Sequence, residues 1–342
     1  MFTDIGIDLG TYKTTIIAGK KVVLEEPTAV AIDTQTGEPI FFGERAHSIE
    51  GRAHEHVQVL HPVERGVVSD LNLATAMLRH FLRKSFGNRM VKPRVVITAP
   101  GGATDVQQRS CAGVAEAAGG RNVRVIETAT AAAIGLGLNF SMPHGSMIVD
   151  IGAGTTDIAV TTMGGVAECM SISVASQDYD EAIIRYVKAE HGVLIGPHTA
   201  EHIKKQVGSA TRRAVDVTLT VGGVDIVTGM PRAFTVSAGD IYRVTAELTE
   251  EIGTAVTKML ENTLPDLAAD IADEGIHLIG GGAQMCGFEE YIAARTGVPA
   301  RLAEFACECV SRGAGIAVRN PNLLRNADYA YRTRQSLISD ET

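Results

Sequence analysis

The sequence predicts an α/β protein built from two related halves that face each other. Its 342 residues are too many for one ordinary hydrophobic core, and 45% hydrophobic residues are enough to fill two. Two similar strand–turn–strand segments, residues 5–17 and 147–160, lie roughly 140 positions apart, as in an internal duplication. Around them, strand patterns alternate with amphipathic helical patterns, which is typical of α/β folds.

In both segments a turn rich in glycine and hydroxyl groups follows a buried strand that carries an aspartate. The segments read IGIDLGTYKTTII and MIVDIGAGTTDIAV, with Asp8 and Asp150 before the turns. Glycine lets backbone N–H groups approach an anion, and threonine adds a hydroxyl donor. One such turn also occurs in hairpins without a ligand, but two favour a phosphate chain held between the halves. The turn residues are Gly10, Thr11, Tyr12 and Lys13, and Gly152, Ala153, Gly154 and Thr155.

Two further features fit a phosphate chain. A third glycine cluster follows the apolar residues 277–279, so it ends a strand and opens a helix, which suits the nucleoside end of a nucleotide. Asp8 and Asp150 are suited to hold a magnesium ion, mainly through water, and to take part in catalysis by orienting that water. The glycines of the third cluster are Gly280, Gly281 and Gly282.

These three motifs resemble the phosphate-1, phosphate-2 and adenosine motifs of the actin, sugar-kinase and heat-shock-70 ATPase superfamily. Longer stretches resemble the bacterial actin MreB and its paralogues, from about residue 4 to residue 319. The stretches are KPRVVITAPGGATDVQQR (92–109), IETATAAAIGLGLN (126–139), DEAIIRYVKAEHGVLIGPHTAEHIKKQVGSA (180–210) and LPDLAADIADEGIHLIGGGAQMCG (264–287). The resemblance implies an actin-like ATPase fold. In that fold, two duplicated ribonuclease-H-like domains each carry a smaller inserted subdomain, and nucleotide lies in the cleft between them.

The resemblance also divides the chain. It predicts a domain I core (IA) at 1–32, 66–145 and 305–320, a small subdomain IB at 33–65, a domain II core (IIA) at 146–180 and 239–304, and a subdomain IIB at 181–238. Residues 321–342 are polar and lack a periodic apolar pattern, so we expect a C-terminal tail.

The resemblance implies that the protein binds ATP, hydrolyses it slowly and uses Mg²⁺. Subunits would join head to tail into filaments, with protofilaments paired. The filaments would lie at the inner face of the cytoplasmic membrane and help determine cell shape by organising peripheral cell-wall synthesis with membrane proteins of cell-wall elongation. A magnetosome-type or plasmid-type filament is an alternative. A small-molecule kinase would need a second substrate pocket, and a chaperone would need a peptide-binding module.

The composition limits which partners the protein is expected to bind and in which compartment it is expected to occur. A net charge of −9 argues against nucleic-acid binding, which needs concentrated lysine and arginine. Of the five cysteines, only Cys307 and Cys309 are closely spaced, which is too few ligands for a zinc site. We therefore expect reduced thiols and a cytoplasmic protein. No signal peptide or spanning segment of roughly 18 apolar residues is expected.

The first half should begin with strands over 21–33, interrupted at Pro27, followed by a solvated insertion over 41–62. That insertion contains four histidines, of which His54 and His56 could be considered a metal pair, although no further ligand pattern accompanies them. The histidines are His47, His54, His56 and His61.

A helix is predicted over 71–84, with Asp70 as its N-cap. Its apolar face is predicted to contain Leu71, Thr75, Leu78 and Leu82. The following loop places apolar residues among cations, a pattern suited to an anionic bilayer. In MreB-like proteins the matching loop enters the membrane, and no N-terminal amphipathic helix is expected here, so we expect membrane attachment to rest on this loop. The candidate membrane residues are Phe86, Met90 and Val91. The alternative is an ordinary helix end with Phe86 facing the core.

Glu127 is the candidate residue for positioning the attacking water. Residues 104–118 are predicted to be a helix with a Thr104–Gln107 capping box, and 122–126 a strand that ends at Glu127. The family motif E-P-x-A-A-A-I-G matches here, except that Thr128 replaces the proline. The alternative is an acid that only stabilises a helix N-terminus.

In the second half, helices are predicted over 178–190, 198–207 and 239–264, with strands over 216–237 around Gly222-Gly223. By resemblance, Glu201 and Lys204 reach the ribose and adenine; the alternative is a surface ion pair.

The sequence departs from the family near the nucleotide motifs. Tyr12-Lys13 stands where rod-shape proteins have Ala-Asn, Ala153 replaces a glycine and Asp157 a glutamate. Nucleotide turnover is therefore expected to differ.

Overall fold

The computed structural model describes residues 4–87, 92–138, 143–163, 165–320 and 331–333. The strands are β1 Asp4–Leu9, β2 Lys13–Ala18, β3 Lys21–Pro27, β4 Val30–Asp33, β5 Pro39–Phe42, β6 Val57–Leu60, β7 Val63–Glu64, β8 Val67–Val68, β9 Arg94–Ala99, β10 Arg121–Glu127, β11 Ser146–Ile151, β12 Thr156–Thr162, β13 Gly165–Ile172, β14 Val193–Leu194, β15 Thr218–Asp225, β16 Pro231–Ser237, β17 Ile276–Ile279, β18 Ala300–Leu302 and β19 Tyr331–Thr333. The helices are α1 Glu44–His47, α2 Leu71–Phe86, α3 Asp105–Ala118, α4 Thr128–Leu136, α5 Ser176–Tyr186, α6 Pro197–Val207, α7 Ala238–Asn262, α8 Pro265–Glu274, α9 Phe288–Thr296 and α10 Cys309–Arg319.

Two large sheets share one topology. The first has the order β19-β10-β9-β1-β2-β3 and the second β13-β12-β11-β17-β18. In each, three antiparallel strands in sequence (β1–β3 or β11–β13) are extended on the side of the first strand by two parallel strands. The parallel strands are reached through helical crossovers, as parallel pairing requires. Apart from the additional strand β19, the two sheets therefore match strand for strand, as the predicted duplication requires.

Part of the segment predicted to be a polar tail, 321–342, forms strand β19. Strand β19 pairs antiparallel with β10, from Arg124 opposite Thr333 to Ile126 opposite Tyr331. The Arg332 Nη1 atom lies 2.9 Å from Asp105 Oδ1 at the start of α3. The exposed edge of β10 offers backbone hydrogen bonds that a polar segment can satisfy without burying an apolar face.

Three small sheets complete the architecture. Strands β5-β4-β6 lie with α1, strands β14-β15-β16 pack against α5 and α6, and β7 pairs with β8. The predicted interruption at Gly222-Gly223 does not occur, because β15 continues through both glycines and pairs with β16. A glycine without a Cβ is needed at position 223, where a side chain would overlap Val193.

Helix boundaries follow local capping. Asp70 Oδ1 accepts from the Asn72 and Leu73 backbone N–H groups, and the Thr104–Gln107 capping box is formed. The buried face of α2 differs from the predicted one: Leu71 is 52% exposed. The face instead contains Ala74, Met77, Leu78, Phe81 and Leu82. Helix α5 ends earlier than predicted and continues as a π-helical turn, Val187–His191.

A third core joins the two large sheets. Val96 and Ile126 from the first sheet and Ile148 and Ile279 from the second pack with the small-residue helices α4 and α10. The separate cores of the two halves lie on the outer sides of the sheets, against α2 and α3 in one and α7 and α9 in the other. The two halves therefore meet through closely packed helices.

Candidate functional site

A cleft of about 870 Å³ opens between the two halves. Its walls include all the predicted glycine-rich turns and both predicted aspartates, so the structure brings these distant segments together. The predicted residues that line it are Asp8, Gly10, Thr11, Tyr12, Lys13, Asp150, Gly152, Ala153, Gly154, Thr155, Glu201, Lys204, Gly280, Gly281 and Gly282.

The two hairpin turns are closed in the same way. The Gly10 backbone N–H donates to Lys13 O at 3.1 Å, and the Gly152 N–H donates to Thr155 O at 2.9 Å. Outside these bonds, the first turn is held by Thr28, whose hydroxyl donates to Gly10 O at 2.8 Å. Equivalent backbone geometry in both turns is what a duplicated phosphate-binding element requires.

The tips of the two hairpins approach closely. A Cβ built on Gly154 would lie 2.9 Å from Thr11 Oγ1, and an equal distance from Arg65 Cα. The Thr11 hydroxyl already accepts from the Gly66 N–H at 2.8 Å, which fixes its position. A side chain at position 154 would therefore separate the two halves at the turn.

Three carboxyl groups lie together behind the turns. Asp8 accepts from the Thr98 hydroxyl at 2.8 Å, and Asp157 Oδ2 accepts from the Thr155 hydroxyl at 3.1 Å. Burial raises the pKa of Asp150 well above its usual value, and the nearby Asp157 and Asp8 carboxylates raise it further. Burial also raises the pKa values of Asp8 and Asp157. The site thus gathers three carboxyl groups away from solvent, where burial disfavours their charged forms.

Asp157 is a site residue that sequence reasoning noted only as a departure from the family. Its Oδ1 atom is buried and has no hydrogen-bond partner among the described residues. Asp157 is directly opposite Asp150 in the β11–β12 pairing. The hairpin register could have predicted this, because directly opposite residues in a sheet share one face.

The third glycine cluster packs under the second hairpin. Gly280 has a φ of +86°, and a Cβ there would overlap Asp150 Oδ1 and Ile151 O. Its N–H donates to Ala306 O at 3.0 Å. As predicted, the cluster ends a strand and opens a helix, but that helix is a short 3₁₀ turn, Gly282–Gln284, and α9 begins only at Phe288. The tight turn is needed because the chain must reverse against Ile151.

Glu201 and Lys204 line the cleft but already have protein partners. Glu201 accepts from the Tyr12 hydroxyl at 3.3 Å and lies 2.7 Å from Lys205 Nζ. The buried Lys204 Nζ lies 2.6 Å from Asp180 Oδ2 and donates to Ser176. Burial raises the pKa of Asp180 to about 6, although Lys204 opposes that rise. Lys204 is therefore held within the wall rather than extended into the cleft.

Glu127 lies beside the cleft and is not part of its lining, whereas its neighbours Thr128, Ala99 and Pro100 are. It is the last residue of β10, opposite Ala99 in the pairing with β9. Its side chain does not cap α4. Burial raises the pKa of Glu127, and the positive charge of Arg332 opposes that rise. The strand end directs this carboxyl group to the region between the two halves, where it also raises the pKa of Cys169.

The candidate membrane residues divide into two groups. Phe86 is half-buried and packs against the core of the first half, which matches the alternative interpretation of this residue. Met90 and Val91 lie outside the described residues. No helix in the described part of the chain combines the length and apolarity that crossing a bilayer requires.

The insertion over 41–62 was expected to be a solvated surface, and the structure corrects this for two of its histidines. His47 and His61 line the cleft and both contact Glu50, at 3.2 and 3.0 Å. His54 and His56 are exposed as expected. No local pattern distinguishes the two kinds of histidine, because only the folding of the insertion over the cleft separates them.

Comparisons with known proteins agree with this geometry. A family model described as MreB/Mbl protein matches residues 2–326. The cell shape-determining protein Mbl of Bacillus cereus is 40% identical over 319 residues, covering 93% of this chain and 96% of the relative. The cell shape-determining protein MreB of Escherichia coli is 39% identical over 322 residues, covering 92% and 93%.

Solved structures show the same fold. MreB5 of Spiroplasma citri bound to AMPPNP superposes with a TM-score of 0.88 at 32% identity, covering 94% of this chain and 97% of that one. The MamK double helical filament has a TM-score of 0.79 at 19% identity, covering 93% and 99%, and supports the fold alone. The predicted actin-like ATPase fold is confirmed. With a family model across nearly its whole length and relatives at this identity, the chain belongs to the MreB/Mbl family.

Proposed function

We propose that this protein binds ATP with Mg²⁺ in the cleft, hydrolyses it slowly, and uses the nucleotide state to control assembly into filaments. The observation that carries the proposal is the pair of facing, glycine-closed hairpin turns beside three buried carboxyl groups. Nucleotide binding is supported by the related MreB5 structures, which are bound to AMPPNP and ADP. The division into domains IA, IB, IIA and IIB is part of this proposal, although β4 belongs to the small β5-β4-β6 sheet and so crosses the predicted boundary between IA and IB.

The carboxyl cluster fits a magnesium ion. Asp8, Asp150 and Asp157 are hard oxygen donors, and burial raises the pKa values of all three. The unpartnered Asp157 Oδ1 marks a place where a metal-bound water could donate a hydrogen bond. When bound, magnesium would supply positive charge near the phosphates. We infer that Asp8 and Asp150 hold it mainly through water.

The hairpin turns would bind the β- and γ-phosphates through backbone N–H groups, one turn from each half. Glu127 would orient the attacking water as a general base, a role that its raised pKa favours. Because the two turns belong to different halves, loss of the γ-phosphate removes a contact that both share. Hydrolysis would thereby change the angle between the halves, which meet through the small-residue core of α4 and α10.

The angle between the two halves would determine whether subunits assemble into filaments. A neighbouring subunit contacts surfaces of both halves in a head-to-tail arrangement, and such heterologous contacts extend without closing. MamK, which shares this fold, forms a double helical filament. We propose the same for this chain, with paired protofilaments that act in cell-shape control through membrane proteins of cell-wall elongation.

Sedimentation tests this proposal. We expect the protein to pellet with ATP and Mg²⁺, to pellet less with ADP, and to remain in the supernatant without nucleotide, because only ATP connects both turns. A nucleotide-binding control on each sample, such as displacement of a fluorescent ATP analogue, separates failed binding from failed assembly. A protein that stays monomeric in all three conditions over a broad range of salt and concentration would contradict the proposal.

We also propose that the filament binds the inner face of the cytoplasmic membrane through the loop after α2. Since Phe86 packs partly against the core, Met90 and Val91 should contribute most. Each large apolar side chain contributes roughly 1.5–3 kcal/mol at best. Each nearby lysine or arginine adds about 1 kcal/mol on an anionic surface. One subunit therefore binds weakly, and assembly multiplies the contact.

Liposome flotation in a density gradient measures this binding, because filaments without lipid stay at the bottom. With anionic vesicles and ATP, the wild type should float with the vesicles, whereas a Met90→Ser, Val91→Ser variant should assemble but stay with the lipid-free fraction. A Met163→Ser, Val215→Ser variant is the matched control, because both residues are exposed elsewhere, at 67% and 73%. Equal binding of the loop variant and the control would exclude the loop as the anchor.

A further inference from the structure

A cluster of imidazole and carboxylate groups connects two small units across the cleft. One unit is the β5-β4-β6 sheet with α1, and the other is the β14-β15-β16 sheet with α5 and α6. His47 is the last residue of α1 and Glu50 follows it, whereas His198 lies in the first turn of α6. One ligand atom from each of these three side chains lies within 4.8 Å of the others. Within the described ranges, no other group of three or more histidine, cysteine, aspartate or glutamate side chains meets this spacing. The cluster is separate from the Asp8–Asp150 carboxyl group pair.

The hydrogen bonds leave one nitrogen of His198 free to act as a ligand. His198 Nε2 lies 3.1 Å from the backbone oxygen of His47. A carbonyl oxygen can only accept, so Nε2 carries the proton, and Nδ1 of the neutral ring has a lone pair. The rings of His47 and His198 are in edge contact, with centroids 4.5 Å apart.

His47 is held in a similar way. The Tyr12 hydroxyl donates to Glu201, so its oxygen can accept from His47 Nε2, 3.4 Å away. That tautomer leaves the Nδ1 lone pair of His47 facing Glu50 Oε2 at 3.2 Å. Two acceptors at this distance require a cation between or beside them, either a proton on Nδ1 or a metal ion. Ligand atoms around a tetrahedral zinc ion are separated by roughly 3.4 Å, which is close to this spacing.

Glu50 is fixed by a further histidine. His61 Nδ1 faces Thr28 O and its Nε2 faces Glu50 Oε1, both at 3.0 Å. Since both partners accept, His61 carries both protons and holds Glu50 as a carboxylate. In metal sites, a ligating carboxylate is usually hydrogen-bonded to a further group. The second nitrogen of a ligating histidine usually has a fixed hydrogen-bond partner as well.

We propose that His47, Glu50 and His198 form a site for a transition-metal dication of the Zn²⁺ class, which bridges the two small units and holds the cleft closed. Two imidazoles and one carboxylate suit Zn²⁺, Co²⁺ or Ni²⁺ better than Mg²⁺, which prefers oxygen ligands. Three protein ligands leave one position for water. The three ligands lie in the same cleft as the proposed ATP site, but none of them is a residue assigned to nucleotide or magnesium.

Calorimetric titration of the nucleotide-free full chain with ZnCl₂ tests the site, and it does not depend on ATP binding. We expect one saturable equivalent that a hundredfold excess of Mg²⁺ fails to displace. His47→Asn and His198→Asn should each weaken this binding by at least about tenfold. A His54→Asn, His56→Asn variant is the matched control, since both histidines are exposed outside the cluster. Circular dichroism checks that each variant is folded.

Cobalt absorption gives a second readout. The wild type loaded with one equivalent of Co²⁺ should show visible bands that both single variants lose and the His54, His56 variant keeps. Zinc binding by His198→Asn that equals the wild type would overturn the bridge. If the His54, His56 control weakened zinc binding as much as the single variants, the binding would be adventitious surface binding only. If no saturable equivalent of zinc bound, the proposal would be overturned, and a proton would join His47 to Glu50.

Discussion

Glu127→Gln should slow ATP hydrolysis by a factor on the order of 10²–10⁴ while leaving ATP affinity within a few-fold of the wild type. Glutamine keeps the shape of the side chain but cannot accept a proton from water. Glu127 makes no cap bond to α4 and does not line the cleft, so its loss should disturb neither the helix nor the phosphate contacts. The substitution should therefore raise the free energy of the transition state for hydrolysis without weakening ATP binding.

Single-turnover phosphate release measures the rate, and displacement of a fluorescent ATP analogue measures the affinity. Glu38→Gln is the control, because Glu38 is exposed in the turn between β4 and β5. If Glu127→Gln retained the wild-type rate, the water would be oriented elsewhere, and Asp150 would be the next residue to test. If the affinity fell together with the rate, Glu127 would have a binding role instead.

Gly313→Ala should lower the thermal midpoint by roughly 3 °C or more, which for a chain of 342 residues corresponds to about 2 kcal/mol. A Cβ at Gly313 would overlap the backbone oxygen of Ala131 in α4, and one at Gly135 would overlap that of Cys309. The two helices contact through these backbones, so the added methyl group must push them apart. Alanine is favoured over glycine in a helix by about 1 kcal/mol, which is less than the cost of separating packed backbones.

Gly113→Ala is the control that separates the overlap between helix backbones from the intrinsic preference of a helix for alanine. Gly113 lies within α3, where a Cβ meets no atom within 4 Å. The same substitution should therefore raise stability there by about 0.5–1 kcal/mol. Differential scanning fluorimetry of both variants is sufficient. If Gly313→Ala were as stable as Gly113→Ala, α4 and α10 would not be closely packed, and they would not form the contact between the halves described above.

The parts of the fold that sequence predicted are those in which the local pattern and the tertiary structure agree. Both hairpins, the Asp70 N-cap and the Thr104–Gln107 box rest on neighbours within a few residues, and all are present. The strand β19 was not predicted, because it is stabilised by the free edge of β10 rather than by an apolar face of its own. Likewise, β15 continues through Gly222 and Gly223, and at Gly223 the neighbouring strand leaves no room for a side chain.

For the candidate site, the sequence located the turns and the two aspartates, since motifs carry the chemistry of phosphate binding. The surroundings of those residues depend on contacts between segments far apart in sequence. Lys204 is held by Asp180 and Ser176 on α5, and Tyr12 contacts Glu201 and His47, which lie on different units. None of these partners is visible from spacing alone. The His47–Glu50–His198 cluster is of the same kind.

The central claim is that ATP joins the two halves and thereby drives assembly, which hydrolysis then reverses. One measurement tests it most directly: light scattering and phosphate release recorded together on a single sample after ATP and Mg²⁺ are added. We predict that scattering rises before phosphate appears and falls once ATP is consumed, and that Glu127→Gln filaments persist. Filaments that form equally fast with ADP or without nucleotide, or that outlast the ATP in the wild type, would contradict the claim.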